Sequence, residues 1–181
     1  NEDTLEDFCA GHIKTDEATV LINVLNEKLG NDTIQFYPGK SYRHVLVYKG
    51  AQKMDARCFP PHDIMGQSIQ KHLPKGNGSE ILTDLMERSR AYRSKHGVSK
   101  VRIDGEEDPA NMIWLWGQGH RPKMPTFKER FNLTGAVITA VDLIKGIACY
   151  LGWDIIHVPG ATGYLDTNYA NKGQYAIKAL E

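Results

Sequence analysis

Apolar positions between residues 15 and 29 recur at helical spacing, with Ala18, Leu21, Ile22, Leu25 and Leu29 on one face. The pattern predicts a helix with Thr15 as N-cap, Asp16 and Glu17 in the favourable first turn, and Gly30 as its stop. The period then falls to two. Residues 34–37 and 41–49 read as strands joined by the Pro38-Gly39 turn, a hairpin. Tyr42, His44, Leu46 and Tyr48 alternate with Arg43, Val45, Val47 and Lys49, so Arg43 and His44 are expected on opposite faces. Residues 56–59 read as another strand, running into Pro60-Pro61, whose rings stiffen the approach to His62 and Asp63. Ser79 caps an expected helix over 80–96 with Ile81, Leu82, Leu85 and Met86 on its apolar face and Gly97 at its end. Its basic set Arg88, Arg90, Arg93 and Lys95 reads as a solvated face. Residues 101–103 read as short and extended, before an acidic turn.

The stretch 111–166 organises the rest. An apolar run over 112–116 ends in Gly117-Gln118-Gly119 and reads as a strand with polar groups at its C-terminal end. A short helix over 126–131 comes next. Apolar runs at 135–141 and 154–158 then flank a helix over 142–151, capped by Gly152. That is a βαβ unit, with parallel strands and a right-handed crossover. Asp142 reads as the cap of its helix, and Cys149 as core. Trp114 and Trp116 share a face and read as core rather than as a stacking platform. Asp166 or Thr167 is expected to cap the last helix. The fold class is α/β: a mixed β-sheet with flanking helices, including a C-terminal βαβ unit.

Composition narrows the function. The 181 residues suffice for one domain with a sizeable core. With 22 basic and 22 acidic side chains the formal charge is zero, which argues against a broad nucleic-acid or anionic-membrane footprint. No apolar run reaches the roughly 18–20 residues that span a bilayer. Cys9, Cys58 and Cys149 are far apart and form no CxxC pair, so reduced cytoplasmic thiols are expected. The acidic first eight residues read as loose. The chain opens on Asn1 and closes in an uncapped helical pattern over 174–181, so it is expected to be a piece of a larger protein.

Most catalytic signatures are missing. Gly160-Ala-Thr-Gly and Gly117-Gln-Gly match neither dinucleotide nor P-loop fingerprints and read as loop glycines. The seven histidines show no HxxxH or HExxH spacing, and His62-Asp63 alone falls short of the three or four ligands a metal needs. No Gx[ST]xG elbow occurs. What remains is recognition of a small anion. Arg43, His44, His62, Asp63, Arg102, Arg121 and Lys145 stand near strand ends or on the βαβ helix, with Gln118 after the tryptophan run. An Arg fork grips carboxylate or phosphate, and His adds a donor. Each alone is more often a surface cation. Arg43, after an aromatic on a strand, and His62, pinned by two prolines, stand out.

Taken together, Tyr42-Arg-His-Val-Leu-Val, Pro60-Pro-His-Asp-Ile, Ile113-Trp-Leu-Trp-Gly-Gln-Gly, Gly135-Ala-Val-Ile-Thr-Ala-Val-Asp-Leu-Ile-Lys-Gly-Ile and Val158-Pro-Gly-Ala-Thr-Gly-Tyr-Leu-Asp-Thr-Asn-Tyr resemble the archaeal-type, cofactor-independent phosphoglycerate mutases. Bacterial members are often labelled homoserine kinase or phosphonopyruvate decarboxylase. The blocks run in family order from about Gly11 onward. The resemblance implies a member of the alkaline phosphatase superfamily. Such an enzyme interconverts 3-phosphoglycerate and 2-phosphoglycerate in glycolysis and gluconeogenesis through a phosphoserine and two divalent metal ions (Mn, Mg or Zn). The family enzyme is about twice this length. The chain lacks the Asp-Gly-x-x-Asp opening and the downstream Asp/His metal cluster, so its own part is expected to be metal-free and inactive alone. Residues 1–134 are expected to be the inserted substrate-binding domain, and 135–181 a βαβ return segment towards the phosphatase core or one continuous domain with the rest. Its partners would be phosphoglycerate and that core, with no nucleic acid or membrane, in the cytoplasm. Arg43, His44, His62, Asp63, Arg102, Gln118 and Lys145 form the expected substrate-binding set. A ligand-sensing module, or an enzyme for another phospho- or phosphonocarboxylate, remains open.

Overall fold

The computed structural model describes residues 4–93 and 97–181, without the side chain of Arg93. The chain folds as two compact units, Asn1–Gly119 and His120–Glu181.

The first unit is built on α1 (Thr15–Leu29), whose Ala18, Leu21, Ile22, Leu25 and Leu29 are all buried, as their spacing requires. Lys14, not Thr15, is the N-cap; Thr15 is already helical, and the Thr19 hydroxyl donates back to its carbonyl at 2.6 Å. The hairpin pairs β1 (Ile34–Tyr37) with β2 (Val45–Tyr48) antiparallel, Phe36 opposite Leu46. β2 is shorter than its alternation suggested, because residues 41–44 turn away from the ladder. Ile22, Leu25 and Leu29 pack with Phe36, with Leu85 and Met86 of α2 (Ser79–Arg93), and with Ile113. Ser79 opens α2 rather than preceding it, and the rest of the expected 80–96 helix, residues 94–96, lies outside the described residues.

Two expected strands take other forms. Residues 101–103 lie within a helix, α3 (Gly97–Asp104). Residues 112–116 form no strand and join no ladder. Side chains hold them instead: Ile113 N–H donates to the buried Ser89 hydroxyl at 3.0 Å, and the Trp114 indole donates to Phe59 O at 2.8 Å. Residues 56–59 contribute a single bridge, Arg57 to Lys75. Of the first eight residues, expected to be loose, 1–3 lie outside the described residues and 4–8 are anchored. Thr4 bridges Ser68, and Leu5 is buried with Ile64 and Ile69.

The second unit holds α4 (Phe127–Phe131) and the βαβ unit, β3 (Ala136–Val137), α5 (Asp142–Leu151) and β4 (Asp154–Ile155), with β3 and β4 parallel. Thr126 and Glu129 form a reciprocal capping box for α4. Gly152 ends α5 in the left-handed conformation (φ 69°), the geometry a glycine cap supplies. Val141 caps α5, and Asp142 is its first helical residue. The last helix, α6 (Tyr169–Lys178), is capped by Asn168, whose side chain accepts from Asn171 N, rather than by Asp166 or Thr167. Cys149 is exposed, as are Leu143, Ile144 and Ile147 of the same helix, so it is not core. The class is α/β, with helices on small sheets of both orientations.

Candidate functional site

Pro60 is extended (φ −60°, ψ 131°) and Pro61 opens a single 3-10 turn, Pro61–Asp63. Asp63 N–H donates to Pro60 O at 3.1 Å and Ile64 N–H to Pro61 O at 3.3 Å. Pro61 and Ile64 are buried while His62 and Asp63 are exposed, so the turn is anchored from below and presents its polar pair to solvent. The His62 imidazole meets two aromatic rings edge-on, Trp116 at 5.3 Å and Phe8 at 6.1 Å between centroids. Its Nε2 lies 3.7 Å from Asp63 Oδ1. Trp116 is 49% exposed, correcting the expectation of a core tryptophan.

Phe8 leads to Arg43. Its ring stands edge-on to Tyr42 at 5.7 Å. Ser41, left-handed at φ 54°, is tied to the start of α1: its hydroxyl donates to Ile13 O at 2.7 Å and its N–H to Thr15 Oγ1 at 3.1 Å. That clamp fixes the turn bearing Tyr42 and Arg43. The Arg43 guanidinium lies 4.9 Å from the Tyr42 ring centroid, and its Nη2 donates to the Tyr42 hydroxyl at 3.0 Å. Arg43 is nonetheless exposed, and one such bond leaves most of its five donors available to a ligand.

A third segment reaches Tyr42. Ala10, Gly11 and His12 are all left-handed (φ 49°, 59° and 53°). The Asp7 carboxylate organises this loop, accepting from Cys9 N at 2.8 Å and Gly11 N at 2.5 Å. Partial burial pushes the Asp7 pKa up, but the bonds from the Cys9 thiol and the two backbone N–H groups outweigh it and leave the carboxyl below its ordinary range. Burial and the adjacent Asp7 carboxylate push the Cys9 thiol up. His12 is exposed, with its ring 6.2 Å from that of Tyr42.

The remaining expected residues lie elsewhere. Arg102 is 2% exposed, and its guanidinium is committed to the interior: Glu17 at 2.8 Å, Glu107 at 2.7 Å, Ala10 O at 2.8 Å and Asp108 O at 2.9 Å. Within the fold it acts as a clamp. His44 is half-buried, and its Nδ1 accepts from Gly39 N at 3.1 Å. Gln118 donates to Ala56 O. Lys145 belongs to the second unit, 3.2 Å from Asp142. Arg121, also in that unit, lies 6.0 Å from the Tyr150 ring centroid. The structure places His62 beside Asp63 and links them to Arg43 through the Phe8 and Tyr42 rings, with His12 and Trp116 against the same aromatic row. Among the described residues, no three His, Cys, Asp or Glu side chains gather as a metal would require.

A family model described as 2,3-bisphosphoglycerate-independent phosphoglycerate mutase matches residues 1–99, more than half of the chain. The chain belongs to this mutase family. A second model, the metalloenzyme superfamily, matches residues 60–181. The 2,3-bisphosphoglycerate-independent phosphoglycerate mutase of Methanosarcina barkeri is 48% identical over 177 residues, covering 98% of this chain and 44% of the relative. The chain thus spans under half the length of the curated mutases it matches. Among solved structures, the cofactor-independent phosphoglycerate mutase of Thermoplasma acidophilum has a TM-score of 0.57 at 25% identity, covering 93% of this chain and 46% of the other. A Pyrococcus horikoshii protein has a TM-score of 0.69 at 20% identity, covering 98% of this chain and 42% of the other, a likeness of fold.

Proposed function

We propose that this chain is the substrate-binding part of a 2,3-bisphosphoglycerate-independent phosphoglycerate mutase, inactive alone, that holds phosphoglycerate while the phosphoryl group moves between its hydroxyls. The observation carrying this reading is the exposed Arg43–His62–Asp63 cluster on an aromatic base, within the stretch that matches the mutase family. Arg43 grips the carboxylate through its free guanidinium edge. His62 donates to the opposite, phosphoryl-bearing end of the acid, and Asp63 takes the proton of its hydroxyl. Phe8, Tyr42 and Trp116 hold these groups in place, which is the positioning task of a mutase: glycerate stays bound and turns over between two phosphoryl positions.

The phosphoserine and the divalent metals belong, in this reading, to a phosphatase core outside the chain, and no step above runs through a metal. Packing against further protein is supported by the second unit, where Leu143 (72% exposed), Leu165 (91%) and Leu180 (90%) are uncovered. No helix among the described residues is long and apolar enough to cross a membrane, and we assign the reaction to the cytoplasm.

The test is turnover of 3-phosphoglycerate without added 2,3-bisphosphoglycerate, with and without manganese, by this chain and by the full-length protein that carries it. A metal-dependent full-length enzyme and a silent chain are expected. A full-length protein silent under every metal transfers the site to another phospho- or phosphonocarboxylate, or to ligand sensing.

A further inference from the structure

We infer that His12 is a ligand contact of the same cluster, held beside Tyr42 by a left-handed loop that the buried Arg102 clamps. The inference rests on reading the cluster as the phosphoglycerate site, and adds to it a donor that sequence spacing did not reveal.

The loop is the first observation. Ala10 and His12 both carry a Cβ, and left-handed backbone is unfavourable for such residues. Strained backbone persists where its surroundings over-determine it, and it concentrates at ligand clamps. Here the surroundings do so from two sides. Asp7 accepts from the N–H groups of Cys9 and Gly11. Arg102 donates to Ala10 O at 2.8 Å from within the core, and a Cβ at Gly11 would stand 3.2 Å from the same guanidinium nitrogen. Arg102 is thereby a positioning residue, acting through the loop.

What the loop delivers is the second observation. Its tip places an exposed imidazole 6.2 Å from the Tyr42 ring, the ring that also carries Arg43 at 4.9 Å. Tyr42 continues through Phe8 to His62. Donors therefore stand at both ends of one aromatic pair: His12 and Arg43 at the Tyr42 end, His62 at the Phe8 end. That arrangement suits a small acid with an anionic group at each end, as a phosphorylated glycerate has. A histidine N–H and an arginine fork sharing one anion make charge-assisted bonds, stronger than either neutral pairing.

The test uses the full-length protein with 3-phosphoglycerate as probe. His12→Asn removes the imidazole, and asparagine tolerates left-handed backbone, so the fold is kept. His12→Gly is the second variant, at home in that backbone without any side chain. Loss of one charge-assisted bond predicts a rise in KM of about tenfold or more in both, with kcat changed less and the melting temperature held. Unchanged KM in both His12 variants, alongside a raised KM in Arg43→Ala, overturns the role of His12 while leaving the site in place. Unchanged KM in Arg43→Ala and His62→Ala as well overturns the site reading itself. Where the wild type shows no turnover, the same comparison is made by calorimetric titration with 3-phosphoglycerate, and a wild type that binds none overturns both.

Discussion

The Nη1 of Arg102 lies 2.8 Å from Glu17 Oε2, a pair that ties α3 to the first turn of α1 across 85 residues of sequence. Glu17 also accepts from Lys14 N–H at 3.3 Å, so one carboxylate serves both the helix cap and the buried cation. Arg102 is buried, but the Glu17 and Glu107 side chains are 23% and 48% exposed, so removing Arg102 leaves carboxylates that water can reach and two carbonyls without their donor, at a cost of about 1–3 kcal/mol. Arg102→Met is therefore expected to lower the stability of the first unit by an amount of that order. Arg102→Lys should recover only part of it, because one ammonium cannot reach two carboxylates and two carbonyls at once. Denaturant unfolding of the two variants checks this.

Gly11 is the point where the clamp meets the loop. It is left-handed at φ 59°, and a Cβ there would lie 3.2 Å from Arg102 Nη2 and 3.3 Å from Asp108 Cβ. Gly11→Ala is expected to destabilise by about 1–2 kcal/mol from the backbone alone. Gly66 is also left-handed (φ 73°) but has open space around it, so Gly66→Ala should lose only the backbone component. Thermal melts of the two variants separate crowding from backbone strain.

Asp7 gives the first unit an acid limit. Its folded-state pKa lies below the ordinary value of 3.8, through bonds that outweigh partial burial. A depressed carboxylate stabilises the fold above its unfolded pKa, and that contribution is lost as pH falls through the folded pKa. The wild type should therefore lose stability below about pH 4, and Asp7→Asn should show a shallower fall over that window. Urea midpoints measured across that range test the sign.

The three thiols should separate by reactivity. Cys149 is exposed, Cys58 is half-buried with its thiol pushed up by burial, and Cys9 is buried, pushed up by burial and by Asp7. Thiolate is the nucleophile, so iodoacetamide labelling of the native chain should run Cys149, then Cys58, then Cys9. Mass spectrometry of timed samples reads the order. Early labelling of Cys9 would contradict the closed loop.

The parts legible in the sequence were those that repeat locally. The α1 stripe, the hairpin, the Gly152 cap and the parallel βαβ pair each announce themselves within a few residues. Residues 101–103 misled because Val101 and Ile103 favour extended backbone by type. Their helix is fixed instead by Arg102, whose partners Glu17 and Ala10 are remote in sequence. The run 112–116 has the apolar content of a strand, but its bonds go to Ser89 and Phe59, which no periodicity shows. α5 has a clear apolar side, but Leu143, Ile144 and Ile147 are uncovered here, so its pattern marks a face without saying what lies against it. For the site, two prolines marked His62 and an aromatic neighbour marked Arg43. His12 carried no signal, because a left-handed run with residues other than glycine is set by tertiary clamps rather than by composition.

Binding of phosphoglycerate at the Arg43–His62 cluster underlies the proposed function. It is tested most directly by kcat/KM for 3-phosphoglycerate, without 2,3-bisphosphoglycerate, in full-length wild type and Arg43→Ala. Arg43 is exposed and outside the packed core, so the variant should melt with the wild type. A loss of kcat/KM of about a hundredfold is expected if the guanidinium makes a bidentate bond to the carboxylate. Equal kcat/KM in a folded variant would contradict the assignment.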